Sequence, residues 1–194
     1  MEPYISDRVV RMEKIVIIGS PGAGKSTFAR KLGSILTIKV VHLDRVFWRY
    51  DWQEKPRETR IDILQKLVQE KQWLIEGTYL GSSEPRLNKA DTIIFLDIPF
   101  LLCLERIIKR HRKPDGHPRH DIPDGCIDNL NLFRMLKVLV FPLKGRRTLQ
   151  KKLREFPKEK VITLQSTKEA DDFLAQLKPR ASENSKPHYR LSRV

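Results

Sequence analysis

One stretch constrains this chain more than any other: Gly19-Ser20-Pro21-Gly22-Ala23-Gly24-Lys25-Ser26-Thr27. It fits G-x-x-x-x-G-K-[ST], with Gly19, Gly24, Lys25 and Ser26 at the fixed positions. Lys14-Ile15-Val16-Ile17-Ile18 precedes it, a β-branched apolar run suited to a buried parallel strand. Thr27 to Leu32 follows, with Phe28 and Leu32 four apart on one helix face. The pattern is meaningful only in that setting, between a strand and a helix. Glycines let the backbone curl so that successive N–H groups point at one anion, and a helix starting there adds its positive end. Lys25 is placed to reach β- and γ-phosphates, and the Ser26 hydroxyl to ligate Mg²⁺. The loop therefore predicts a bound nucleoside triphosphate with Mg²⁺; the plain alternative is a glycine turn that holds nothing.

The rest of the chain sets bounds. A length of 194 residues suits one domain with a full core. No apolar run approaches the ~20 residues of a membrane span, and Met1-Glu2-Pro3-Tyr4 does not begin a signal peptide. Cys103 and Cys126 have neither metal-ligand spacing nor a disulfide-framework pattern, and Cys103 reads as a core thiol, so a cytoplasmic location is expected. The formal charge of +14 is carried entirely by three segments, residues 101–120, 144–160 and 178–194. A polyanion such as nucleic acid, arginines closing over a nucleotide, and solvated helix faces each account for such charge.

Periodicity gives a coarse map. Lys39 to Leu43 reads as a strand ending at Asp44, residues 57–71 as a helix, and Trp73-Leu74-Ile75 as a strand ending at Glu76-Gly77-Thr78. Thr92 to Leu96 is a strand ending at Asp97, and Pro99 opens a helix. Residues 112–126 carry prolines and glycines among charges, a loop of lid size. Helices near Ile127–Val140 and Gly145–Glu155, a strand at Lys160–Leu164 and a helix at Lys168–Leu177 follow. The domain is thus expected to span 1–177, with a basic disordered tail at 178–194. Strands alternating with helices predict a parallel sheet covered on both faces, with ligands at the carboxyl ends of its strands. The glycine loop, Asp44, Glu76 and Asp97 then share one rim.

Taken together, these segments resemble the small P-loop kinases of the adenylate kinase and shikimate kinase group, and within it the topology modulation (FlaR-like) proteins. The likeness rests on G-S-P-G-A-G-K-S-T, V-H-L-D with Phe47-Trp48, W-L-I-E-G-T-Y, A-D-T-I-I-F-L-D-I-P and C-L-E-R-I-I-K-R, across residues 14–177. It implies an α/β, three-layer P-loop NTPase fold with strand order 2-3-1-4-5 and a short lid. It also implies that Arg106 and Arg110 face the nucleotide, Arg106 on the base and Arg110 on phosphate; a pair of solvated arginines is the alternative. The D-G-F-P-R of adenylate kinases and the glycine triplet of shikimate kinases are both absent after the third strand.

Roles follow for an ATP- and Mg²⁺-dependent kinase acting on a nucleotide, nucleoside or other small hydroxyl acceptor. Gly19, Ser20, Pro21, Gly22, Ala23, Gly24, Lys25, Ser26 and Thr27 would hold the donor, with Lys25, Arg106 and Arg110 stabilising transferred charge. Asp44 is the candidate for acceptor binding and general base, or a strand-end cap. Ser26 would ligate the metal, and Glu76 or Asp97 would hold it through water or serve as structural carboxylates. Trp48, Tyr50 and Trp52 form a stacking wall or pack into core or lid; Arg57, Arg60 and Arg86 are candidates to grip an acceptor phosphate. A nucleic-acid-associated ATPase of the topology modulation type is the second reading. No membrane role is expected, and the oligomeric state is open.

Overall fold

The computed structural model describes residues 12–49, 53–112 and 145–177. The proposed lid beyond Arg112, the helix expected near Ile127–Val140, Tyr50, Trp52, Cys126 and the basic tail lie outside them.

The opening apolar run forms β1 (Lys14–Gly19), and the glycine loop leads into α1 (Lys25–Leu36). Then come β2 (Val40–His42), α2 (Leu43–Phe47), α3 (Arg57–Leu67) and β3 (Trp73–Glu76). A 3₁₀ turn at Leu80–Ser82 leads into α4 (Glu84–Lys89), followed by β4 (Thr92–Leu96) and α5 (Phe100–Arg112). The described chain closes with α6 (Arg146–Leu153), β5 (Val161–Leu164) and α7 (Thr167–Leu177). The strands form one parallel sheet of order β2-β3-β1-β4-β5, as the resemblance implied.

Alternation along β1 shows the layers. Ile15 and Ile17 join a core with Phe28 and Leu32 of α1 and Leu174 and Leu177 of α7. Val16 and Ile18 point the other way, into a core with Phe47, Leu64, Leu87, Leu149 and Leu153 from α2, α3, α4 and α6. Period-2 strands with both faces apolar require helices on both sides, which is why β1, β3 and β4 are buried almost throughout.

Two short elements depart from the sequence expectation. The second strand stops at His42, and Leu43 begins a five-residue helix rather than ending the strand. Leu43 and Phe47 are each 0% exposed and lie four apart, so a helical turn drives both into the second core. Asp44 consequently sits in the first turn of α2, not at a strand terminus. The second element is α4, whose Pro85 stands where a helix tolerates a residue without an N–H donor.

Candidate functional site

The glycine loop sits at the carboxyl end of β1, the central strand. Gly22 and Gly24 have φ of 80° and 89°, a region that side-chain-bearing residues rarely occupy. Gly22 is also sterically fixed, because a Cβ there would lie 2.4 Å from the Cys103 carbonyl oxygen of α5. Helix α1 starts at Lys25 with no acidic residue in its first turn, so the amides of Lys25, Ser26 and Thr27 and the helix's positive end face the loop uncompensated by a carboxylate of that turn. The Lys25 ammonium donates to the Ser20 carbonyl at 3.0 Å, across the mouth of the same loop. This curl of amides with one lysine is suited to a chain of phosphates.

The two carboxylates offered as metal partners have different neighbours. The Ser26 hydroxyl donates to Glu76 Oε2 at 3.3 Å, and the same oxygen is 2.9 Å from His42 Nδ1. Asp97 instead accepts a two-pronged contact from Arg146, Nε to Oδ1 at 2.6 Å and Nη2 to Oδ2 at 2.7 Å, with Gln150 at 3.4 Å. Donating to the Asp97 carboxylate in turn raises the Arg146 pKa. A forked guanidinium on both oxygens ties α6 to the end of β4. Glu76 thus lies beside Ser26, whereas both oxygens of Asp97 are taken up by Arg146. Among the described residues no three His, Cys, Asp or Glu side chains gather into a metal-holding group. Mg²⁺ characteristically arrives with phosphates and keeps several waters, so Ser26 and Glu76 are a fitting protein share.

The turn after β3 joins the glycine loop to Asp44. The Thr78 hydroxyl donates to the Gly19 carbonyl at 2.6 Å and accepts from the Gly19 amide at 3.2 Å, riveting the turn to the start of the glycine loop. Next to it, Tyr79 has φ 26° and ψ 63°, a conformation costly for an aromatic residue. What holds it there is its phenol and ring. The hydroxyl donates to Asp44 Oδ1 at 2.6 Å and accepts from Trp48 Nε1 at 2.6 Å, while the ring meets Phe47 edge-on at 4.8 Å. Burial, then the Asp44 charge, pushes the phenol pKa upward, so Tyr79 stays a donor through the neutral range. Asp44 is itself exposed, and the phenol fixes how its carboxylate faces solvent.

The arginines divide in the same way. Arg106 of α5 reaches back to the loop, donating to the Ala23 carbonyl at 3.4 Å and to Thr167 Oγ1 at 2.7 Å. It therefore bridges the glycine loop and the start of α7. Arg110 lies one turn further along α5 and is exposed. Arg86, read as a possible phosphate grip, is 0% exposed and cannot meet a ligand from solvent. It donates to the Thr78 carbonyl at 2.5 Å; burial pushes its pKa down, and Glu76 pulls it partly back. Arg57 donates to the Gly81 carbonyl at 2.9 Å, and Arg60 pairs with Glu54 while lying over the rings of Phe47 and Tyr79. Trp48 acts as a hydrogen-bond donor inside this cluster rather than as an open wall. Cys103 is buried behind the loop, and burial raises its thiol pKa, as befits an inert core thiol.

Sequence reading put Thr78 on the same rim as the glycine loop but did not single out His42 or Tyr79, which lie against Glu76 and Asp44. The E-G-T-Y run was visible, yet only strand pairing shows what it touches. Asn88-Lys89-Ala90-Asp91 also spells N-K-x-D, the pattern of guanine readers. Here Asp91 Oδ2 accepts the Glu13 and Lys14 amides at the start of β1, the opposite end of the sheet from the glycine loop. Its role is to pin β1, and the match in letters has no bearing on base recognition.

No family model matches the chain. A shikimate kinase of Rhodococcus erythropolis is 27% identical over 115 residues, covering 52% of this chain and 68% of that protein. The structure of a deoxyadenosine kinase from M. mycoides, with the products dCMP and dCDP bound, superposes with a TM-score of 0.51 at 12% identity, over 84% of this chain and 95% of that one. A shikimate kinase structure from Aquifex aeolicus gives a TM-score of 0.49 at 21% identity, over 84% and 92% of the two chains. The fold is that of the P-loop kinases: a five-stranded parallel sheet of order 2-3-1-4-5 with helices on both faces.

Proposed function

We propose that this chain is an ATP- and Mg²⁺-dependent phosphotransferase that moves a γ-phosphoryl group to a small hydroxyl-bearing acceptor. The observation that carries the proposal is the meeting of three parts on one sheet edge. These are the glycine loop with Lys25, the Ser26–Glu76 pair, and an exposed carboxylate, Asp44, tied to the loop through Tyr79 and Thr78. The kinases it resembles in sequence and fold support the same class.

In this reading the loop amides and Lys25 bind the donor and offset charge on the moving phosphoryl group. Arg106, held against Ala23 and Thr167, lies where the nucleotide would cross from loop to α7, and Arg110 extends the same cationic face. Ser26 and Glu76 hold Mg²⁺, which when bound screens the phosphate charge. Asp44, oriented by Tyr79, receives the proton of the acceptor hydroxyl as its oxygen bonds to the γ-phosphorus, while the bond from that phosphorus to the β–γ bridging oxygen breaks and ADP leaves. A cytoplasmic, reducing setting goes with this reading.

The test is a panel of nucleosides, nucleotides and small hydroxyl metabolites, scored by ATP consumption. At least one member should raise consumption well above the acceptor-free rate, and Asp44→Asn should lower that rate about a hundredfold with Mg²⁺·ATP affinity unchanged. A panel in which no member exceeds the acceptor-free rate would speak against kinase activity. It would favour the second reading, a nucleic-acid-associated ATPase of the topology modulation type. That reading draws on the exposed cations Arg147, Lys151, Arg154 and Lys158 on and just after α6. Its mark would be duplex binding that weakens steeply with salt.

A further inference from the structure

We propose that His42 is a positioning residue that holds the Glu76 carboxylate against Ser26, and through it sets the affinity of the site for the Mg²⁺ that accompanies a nucleoside triphosphate. The inference rests on the nucleotide-binding reading above and adds to it a side chain outside the glycine loop.

The backbone brings the pair together. β2 and β3 are parallel neighbours, and their register sets His42 opposite Glu76. Residues in register project to the same face of a sheet, so the two side chains are side by side without any loop having to deliver them. Their side chains are 9% and 7% exposed, and His42 Nδ1 lies 2.9 Å from Glu76 Oε2. A carboxylate only accepts, so the proton of this contact is on Nδ1 and the imidazole is the donor. The same Oε2 takes the Ser26 hydroxyl at 3.3 Å, so one oxygen is pinned by the ring on one side and by the metal-ligating serine on the other.

The carboxylate needs that pin because a rival stands behind it. Arg86 is wholly buried within electrostatic reach of Glu76, and its Nε and Nη1 have no hydrogen-bond partner. Buried donors of this kind gain by capturing a carboxylate. Glutamate has several rotamers, so the donor that holds the carboxylate decides which way it points. Without the His42 donor, Glu76 is drawn toward Arg86 and away from Ser26. Outer groups that orient a metal's partners characteristically govern metal affinity by ten- to a hundredfold.

Calorimetric titration of the full chain with ATP, with Mg²⁺ and then with EDTA, separates the possibilities. The wild type should bind ATP more tightly with Mg²⁺. In His42→Ala that gain should shrink about tenfold, with metal-free ATP affinity unchanged. His42→Asn, whose side-chain amide can donate from a position near Nδ1, should restore much of it; His42→Gln, which reaches instead toward Nε2, should not. A folded His42→Ala that keeps the full Mg²⁺ gain overturns the inference and leaves the nucleotide site standing. Equal weakening with and without Mg²⁺ also overturns it, since that pattern marks a structural histidine. If His42→Ala does not fold, His42→Asn and His42→Gln decide: equal Mg²⁺ gains in the two contradict a positioning role. A wild type that binds no ATP removes both this inference and the reading beneath it.

Discussion

Lys25→Ala is expected to lower ATP turnover about a thousandfold, the scale seen when a preorganised donor to developing charge is removed. The reason is geometric. Lys25 is the first residue of α1 and its ammonium already crosses the loop mouth to the Ser20 carbonyl at 3.0 Å. Its replacement leaves the loop backbone intact, because the loop's shape comes from Gly22 and Gly24 and from the packing of Gly22 on α5. Thermal unfolding of the variant should therefore match the wild type while turnover collapses. Retained turnover in a folded Lys25→Ala protein would take the lysine out of the chemistry.

Arg86→Ala is the second large effect, and it falls on stability. Truncating a large, wholly buried side chain to a methyl group costs about 3–5 kcal/mol. Arg86 is 0% exposed, so truncation opens a void between α4 and the sheet. It strips the donor from the Thr78 carbonyl and removes the buried cation that faces Glu76. For a chain of this size the melting temperature should drop by about 10 °C. Arg86→Met, which refills most of the volume and carries no charge to desolvate, should lose far less. The turn that Arg86 supports is riveted to Gly19 by Thr78, so Arg86→Ala should also weaken nucleotide binding, whereas Lys25→Ala leaves the fold untouched. An Arg86→Ala protein as stable as the wild type would mean that this side chain is not enclosed in solution.

What the sequence disclosed and what it hid follow from the range of the interactions. The strand–loop–helix unit was legible because every requirement is local: β-branched residues before, glycines within, Phe28 and Leu32 spaced to bury after. The sheet order came from resemblance, since nothing in residues 73–76 says which strand they will pair with. Two signals misled. V-V-H-L reads as continuous strand, yet the burial of Leu43 and Phe47 makes a helical turn there and moves Asp44 onto it. Arg86 reads as a candidate to grip an acceptor phosphate, and only the packing of α4 shows it enclosed. The contacts of Glu76 and Asp97 were indistinguishable in sequence because their partners are remote. His42 reaches Glu76 across 34 residues and Arg146 reaches Asp97 across 49, through strand register in the first case and helix docking in the second.

Titration of the wild-type chain with Mg²⁺·ATP tests the account at its root. Saturable binding to the folded protein is predicted, weakened by EDTA. Bound nucleotide at about a hundred times its dissociation constant should add about 2.7 kcal/mol of stability. A folded protein that shows neither heat of binding nor a raised melting temperature at millimolar Mg²⁺·ATP would contradict the assignment of the Gly19–Thr27 loop as a triphosphate cradle.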